Sequence, residues 1–476
     1  MYVRRLVLCG KVIEHPQISR ETCLPIRSTS KAAFSSNTRC YAEPVDLEMP
    51  HWPVQDAATT NQIKNIHTLM AYKNWEAVIR LVDQQLYQSK ATNTSEPVFQ
   101  RAMYESARGF ALDKLGRQGD AIKSYRSALN GFLSFTESTP SGVSLVTESF
   151  TSLSRLLLAT GSYSEAVTVH KMAVNFIRPL VDKDPDLKPQ LVRCLTRLGN
   201  SLMQAEDSTS ALSALQEAYT LSQTAQSPPA LIDELTIDII GVMAAAYQAL
   251  QRWSDALPLS EQLVKKAKDA IEAARKSGAV NEGLEATYVH ELCSYADNLW
   301  SVGRTEECLA AHEQSISIFR RLYERNPAER SVELAGLLHN YSFRQTPQKQ
   351  FILMKEGLDL LRGQSVKADR LRVTYLMNLS KVLRDSGLDG TKEAKEAIGI
   401  ADRLAAHESI VFWKSRIDAR EALSLALEAV HRPREQLVVL KELITIRRAQ
   451  VPRNNARAKD VTELINDLKK TSRSVF

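Results

Sequence analysis

The chain of 476 residues lacks the features that mark several large classes of protein. It has no uninterrupted apolar run of about 18 residues, so no membrane-spanning helix is predicted. No segment alternates apolar and polar residues long enough to indicate a β-sheet. The glycine count of 18 and the hydrophobic content of 44% exclude a collagen and a chain that is disordered throughout. A folded protein without β-sheet is therefore predicted.

Motifs that support catalysis are also missing. No glycine-rich run ends in Lys-Ser or Lys-Thr, which excludes a phosphate-binding loop, and no dinucleotide-binding fingerprint is present. The pair His290-Glu291 is not followed by the second histidine of a zinc-protease helix, because Ser294 stands there. The chain is predicted not to be an enzyme, and neither a metal nor a cofactor is expected.

The net charge of +6 comes almost entirely from the N-terminus. Residues 1–42 hold seven basic residues and two acids, which leaves 54 basic and 53 acidic residues for the other 434 positions. A surface that binds nucleic acid needs clustered basic residues, whereas the body of this chain is nearly neutral. Nucleic acid is therefore not an expected partner.

Residues 1–50 are predicted to be a disordered or targeting segment. They are basic, rich in serine and threonine and poor in acids, which is typical of a mitochondrial transit peptide. The sequence Arg39-Cys40-Tyr41-Ala42 also resembles a matrix-processing site. The alternatives are a plain tail and a wrongly assigned start codon ahead of Met49. We expect a mitochondrial location, with the cytoplasm as the alternative.

From residue 56 onwards, apolar residues recur every three or four positions, which predicts an all-α fold. Two small residues twelve positions apart recur five times within it. These pairs are Gly109 and Ala121, Ser154 and Ala166, Gly199 and Ala211, Ala244 and Ala256, and Ala296 and Cys308. Antiparallel helices approach closely only where small side chains lie at their crossing. The pattern therefore predicts a repeated helix pair with a period of about 45 residues.

The turns within these pairs carry their own signals. Gly161 is predicted to end a first helix in the left-handed conformation, and Ser164 to cap the second. The repeat at 332–363 has a shortened turn, and its register stays open. There Thr346 is predicted to be a helix cap and Pro347 the first helical residue.

Three polar or reactive side chains fall at packing positions of the repeat. His170 and His312 each lie four residues after the small residue of a second helix, so packed histidines are predicted there. Cys308 occupies an alanine position, where a free thiol acts as a small apolar group. None of the three is predicted to do chemistry.

The repeat resembles the tetratricopeptide family, whose signature combines a Leu-Gly pair with small and large residues at fixed offsets. The matching residues here are Leu198, Gly199, Leu202, Ala211 and Leu215. The stretch 303–342 is similar to the long-helix variety of kinesin light chains and many fungal tetratricopeptide proteins. The resemblance implies a right-handed α-α superhelix of about eight helix pairs over residues 56–452, with a capping helix at 456–470.

The resemblance also implies a function. Such arrays are non-enzymatic scaffolds or adaptors that bind a peptide or a partner helix in a concave groove lined by first helices. A mitochondrial assembly factor is the specific form expected, and an organellar RNA-binding helical-repeat protein is the alternative. The candidate partner-binding residues are Arg155, Arg193, Arg197 and Asn200, with a second cluster of Asn378, Lys381 and Arg384.

Arg193, Arg197 and Asn200 share one helical face and could hold a carboxylate, although a merely solvated face is the alternative. The segment 193–200 also resembles the third repeat of tetratricopeptide domains that grip the C-terminal carboxylate of heat-shock proteins. That clamp needs a lysine and two asparagines at positions filled here by Ser106, Phe110 and Ser152. A heat-shock carboxylate clamp is therefore not expected.

Overall fold

The structure is a computed structural model. It describes residues 57–91, 98–133, 140–224, 229–278, 282–362, 366–407, 409–450, 465–469 and 471–472. This part of the chain contains eighteen α-helices of at least 14 residues and no strand. The predicted N-terminal segment, 1–50, lies outside the described residues. The chain divides into two compact units at Glu206 and Asp207.

The first unit contains helices α1 to α7. They are α1 (Ala57–Ala71), α2 (Trp75–Ala91), α3 (Val98–Lys114), α4 (Gln118–Leu133), α5 (Pro140–Ala159), α6 (Tyr163–Val181) and α7 (Lys188–Gln204), with a short 3-10 turn at Pro185–Leu187. Consecutive helices pack against each other, so α1–α2, α3–α4 and α5–α6 are helix pairs. Odd-numbered helices are called A helices below, and even-numbered ones B helices.

The second unit contains helices α8 to α18. They are α8 (Ser208–Thr224), α9 (Pro229–Ala249), α10 (Trp253–Lys276), α11 (Glu282–Ser301), α12 (Thr305–Arg325), α13 (Pro327–Ser342), α14 (Pro347–Leu360), α15 (Val366–Asp385), α16 (Thr391–His407), α17 (Ser409–Ala429) and α18 (Pro433–Gln450). Five pairs, from α9–α10 to α17–α18, pack in chain order. The predicted all-α architecture of tetratricopeptide-like helix pairs is confirmed.

The small residues of the repeat lie at the closest helix contacts. The second member of each predicted pair is fully buried in a B helix: Ala121, Ala166, Ala211, Ala256 and Cys308. In α3, a Cβ on Gly109 would lie 3.0 Å from the Cδ2 atom of Tyr125 in α4. Helix proximity therefore limits side-chain size at these positions, as the sequence pattern predicts.

Among the described residues, a left-handed residue follows the end of every A helix except α13. The positions are Lys73, Gly116, Gly161, Glu206, Gln251, Gly303, Gly387 and His431. Gly161, with a φ of 77°, confirms the prediction made for its turn. Four of the eight residues are not glycine, and each carries a backbone penalty that glycine avoids.

Two predicted helix caps differ from the structure. Helix α6 begins at Tyr163 after the N-cap residue Ser162, so Ser164 lies inside the helix and is not its cap. Thr346 and Pro347 take the predicted positions before and at the start of α14, but the Thr346 side chain accepts no capping hydrogen bond. Helices α6 and α14 therefore begin without a hydrogen bond from a side-chain cap.

Replacing Gln251 with glycine is expected to raise the free energy of unfolding by about 0.5–1 kcal/mol, because glycine adopts positive φ without steric strain. Gln251 has a φ of 58° and an exposed side chain, so little else is lost. Urea unfolding would measure the change. Gly303→Ala, at a φ of 84°, is the reciprocal control and should destabilise. A lower urea midpoint for Gln251→Gly would contradict the expectation.

The last helix pair packs against residues near the C-terminus. Ile465 and Leu468, in the described part of the predicted capping segment, contact a buried cluster that includes Leu427, Leu440 and Leu443. These contacts cover apolar side chains at the end of the second unit.

Candidate interaction site on the A helices

Helix α7 presents one polar stripe between buried positions. Arg193 is exposed and Arg197 and Asn200 are half-buried, while Leu195 and Leu198 are buried. The helical period therefore places the three predicted binding residues on one side of the helix. The α7 stripe, as named here, consists of Gln190, Arg193, Arg197, Asn200 and Gln204. It extends over about 21 Å of helix.

Helix α5, the neighbouring A helix, carries a matching stripe. Its half-buried residues recur at helical spacing, and the intervening side chains on the same helix are buried. The α5 stripe consists of Ser144, Glu148, Thr151, Arg155 and Leu158. Helices α5 and α7 are in contact, so the two stripes are neighbours on the A-helix side of the first unit.

Two of the predicted arginines join adjacent A helices. Arg197 Nη1 donates a hydrogen bond to Thr151 Oγ1 at 2.5 Å, which connects α7 to α5. Arg155 forms an ion pair with Asp113 of α3, whose side chain is mostly buried. Arg155 therefore has mainly a structural role, because a binding partner would have to displace Asp113 to form an ion pair with it. Sequence reasoning missed both acceptors.

Side-chain bonds between successive A helices, such as Arg197–Thr151 and Arg155–Asp113, are called the A-helix ladder below. The second unit has bonds of the same kind. Gln248 of α9 donates to Ser294 at 3.1 Å and to Asn298 at 2.9 Å, both on α11. Arg344, just after α13, forms an ion pair with Asp297 of α11. Side-chain bonds between successive A helices thus recur in each unit.

In the second predicted cluster, on α15, two of the three residues have partners within the protein. Asn378 Nδ2 lies 2.9 Å from the His339 Nε2 atom of α13, within the ladder. Arg384 pairs with the adjacent Asp385 at 2.9 Å. Lys381 is exposed and forms no ion pair with a described residue. Lys381 is therefore the member of this cluster that is presented to solvent.

The buried titratable groups have environments that suppress their charge. His170 contacts Ser154 and Ser201, and burial, followed by the nearby charge of Arg197, lowers its pKa to about 3. Burial raises the pKa of the Cys194 thiol to about 11 and that of Cys293 to about 12. These groups stay neutral at physiological pH and pack as the sequence predicts for the histidine.

Within the described residues, no group of three or more His, Cys, Asp or Glu side chains is arranged to hold a metal ion. None of the described helices is both long and apolar enough to cross a membrane.

No protein-family model and no curated protein sequence matches the chain. Solved structures with some likeness include the quorum sensor NprR from B. thuringiensis, with 13% identity over 78% of this chain and 95% of that one, at a TM-score of 0.47. Aspartyl phosphate phosphatase F from Bacillus subtilis has 13% identity over 75% of this chain and 84% of that one, at a TM-score of 0.44. BtubC from P. vanneervenii has 16% identity over 52% of this chain and 92% of that one, at a TM-score of 0.38. All three TM-scores are below 0.5, so the fold assignment rests on this chain's own helix packing.

Proposed function

We propose that the protein is a non-enzymatic interaction scaffold that binds a peptide or a partner helix along the A helices of its first unit. The observation that carries the proposal is the α7 stripe. Its side chains are polar and at least partly exposed, and they follow one face of a helix whose other faces are buried. Extended segments and helices both bind to such linear surfaces on helical-repeat proteins.

The ladder supports the same function. Because the Arg197–Thr151 bond holds α7 against α5, the two stripes keep a fixed spacing before a partner arrives. A surface that is already ordered spends less conformational entropy on binding. The first unit therefore offers a prearranged polar surface, which suits recognition better than chemistry.

The test is a binding experiment on the full chain. Partners identified by proximity labelling are purified and titrated against the protein and against the double variant Arg193→Glu, Arg197→Glu. We expect at least a tenfold loss of affinity, because two charges on the binding surface change sign. The control is Lys171→Glu, an exposed position on the B helix α6. If no purified partner distinguishes the double variant from the control, the proposed surface is wrong.

A mitochondrial assembly role is the more specific form of this proposal. It depends on residues 1–42, with seven basic residues and two acids, which lie outside the described part of the chain. The mitochondrial location therefore stays a prediction from sequence.

A further inference from the structure

We propose that Lys381 of α15 and Leu425 of α17 form an interaction surface of the second unit, which binds a short extended peptide segment. The segment carries a side-chain carboxylate and a large aliphatic side chain, separated by one residue. This surface is distinct from the α7 stripe and does not depend on it. The inference is carried by the charge of α15, the exposure of Leu425 and the contact between their two helices.

Helix α15 has the largest positive surplus among the A helices of the second unit. It holds five bases and two acids, whereas α17 beside it holds three of each. The bases of α15 are Lys367, Arg370, Arg372, Lys381 and Arg384, and its acids are Asp369 and Asp385. A local positive surplus of this kind attracts acidic segments.

Lys381 is the base of α15 whose charge is available to a partner. Arg372 pairs with Glu396 of α16, and Arg384 pairs with the adjacent Asp385. Lys381 is exposed and forms no ion pair with a described residue. The helix dipole favours a base in the last turn of α15, so this charge alone does not indicate a partner.

Leu425 supplies a second, independent observation. Its side chain is 48% exposed, although Leu423 and Leu427 on the same helix are buried. Among the described residues of this unit, the other exposed large apolar side chains on A helices are Trp300 and Val366, and both lie at helix ends. A partner's aliphatic side chain would remove Leu425 from water, and this stabilises a complex.

The packing of α15 against α17 places the lysine and the leucine side by side. Leu376 of α15 and Ala419 of α17 belong to one buried cluster, which fixes the offset between the two helices. The buried pair 379–380 then corresponds to the buried pair 423–424, and the two residues of the proposed surface directly follow these pairs. Because packed helix axes lie about 8–10 Å apart, one short segment can contact both side chains.

Asn378 offers the segment a main-chain contact one turn before Lys381. Its Nδ2 atom lies 2.9 Å from the Nε2 atom of His339. Burial lowers the pKa of His339 to about 4, so the neutral ring can accept this hydrogen bond at pH 7. The Asn378 Oδ1 atom makes no hydrogen bond with a described residue. It can therefore accept a hydrogen bond from a main-chain N–H of the segment.

The surface sets the spacing of the two groups in the segment. Alternate residues of an extended peptide are separated by about 6.6 Å and point the same way. The flexible lysine stem covers the rest of the spacing between the helices. Glu428 is exposed one turn after Leu425 and forms no ion pair with a described residue. It repels an acid on α17, so the carboxylate faces Lys381 and the aliphatic side chain faces Leu425.

The probe is a fluorescein-labelled peptide with the order leucine, glycine, aspartate, glycine and leucine, which presents the acid and the leucine in both chain directions. Its ends are blocked, so the aspartate is its only carboxylate. Its affinity for the full chain is measured by fluorescence anisotropy at low salt. We expect the peptide with asparagine in place of aspartate to bind about fivefold more weakly, within the range for an exposed ion pair. Equal affinities, or no saturable binding at millimolar peptide, would overturn the inference.

Two variants and two matched controls assign the contact. Lys381→Gln should remove the preference for aspartate over asparagine, and Leu425→Ala should weaken both peptides about fivefold through lost apolar contact. Lys441→Gln and Val438→Ala change exposed positions of the B helix α18 in the same two ways and should have little effect. If Leu425→Ala changes affinity no more than Val438→Ala does, the surface is only a cationic patch and the proposal is wrong.

The outcomes are independent of those that test the proposed function. The Arg193→Glu, Arg197→Glu double variant changes the first unit and should bind the probe as the unaltered protein does. Loss of probe binding in that variant would contradict the assignment to α15 and α17. If purified partners ignore the double variant while the probe still distinguishes aspartate from asparagine, the α7 surface fails and this one stands. Thermal unfolding of each variant checks that the fold is intact.

Discussion

The protein is expected to lose about 2 kcal/mol of stability for each of three buried histidines when the pH falls from 7 to 5. His170, His312 and His339 are all buried, and burial is the largest cause of their low pKa values, which lie at about 3, 3 and 4. The total change over the whole chain is on the order of 6 kcal/mol, a large fraction of the stability of a typical domain.

The sign follows from proton binding. The unfolded chain protonates its histidines near pH 6.5, whereas the folded chain keeps these three neutral until pH 3 to 4. The unfolded state therefore binds more protons throughout this window, and stability falls as the pH falls. The half-buried carboxyl of Asp297, whose Oδ1 atom lies 3.9 Å from His312 Nε2, acts in the opposite sense because desolvation raises its pKa.

Urea unfolding followed by circular dichroism at pH 7, 6 and 5 would measure the effect. Replacing His170, His312 and His339 with glutamine should lower stability at every pH but flatten its pH dependence by up to about 4 kcal/mol per pH unit. His431→Gln, at an exposed position, is the control and should leave the slope unchanged. An unaltered slope in the triple variant would show that the three histidines do not cause the acid sensitivity.

The fold was predictable because close helix packing requires small residues at a fixed spacing in the sequence. Ala166 and Cys308 are fully buried in B helices, as their place in the repeat requires. The left-handed turns were readable only where glycine marks them. Lys73 and Gln251 adopt the same positive φ without an identifying side chain, because non-glycine residues accept this conformation at a cost.

The candidate site was only partly predictable. Helical spacing places Arg193, Arg197 and Asn200 on one face of α7, and this needs no tertiary information. The ladder is different, because its partners are separated by variable distances along the chain. Asp113 and Arg155 are 42 residues apart, whereas Thr151 and Arg197 are 46 apart. A sequence period near 45 cannot select these pairs, since helix rotation and offset decide which side chains meet.

Alanine in place of Gly357 is expected to destabilise the protein by about 3 kcal/mol, the upper range for adding a methyl group to a packed core. A Cβ at this position of α14 would lie 2.1 Å from the Oη atom and 2.4 Å from the Cζ atom of Tyr375. Tyr375 on α15 is fully buried and donates its hydroxyl hydrogen to the Ala335 carbonyl oxygen. If the ring moved aside to make room for the Cβ, it would lose this bond.

Helix propensity alone predicts the opposite sign for Gly357→Ala, since alanine is favoured over glycine by about 1 kcal/mol inside a helix. Gly399→Ala in α16 is the matched control, because a Cβ there would meet no atom within 4 Å, and it should stabilise. Urea unfolding of both variants separates packing from propensity. A Tyr375→Leu background should remove much of the Gly357→Ala penalty, as a double-mutant cycle would show. If Gly357→Ala and Gly399→Ala shift stability alike, the contact with Tyr375 does not determine the choice of glycine at position 357.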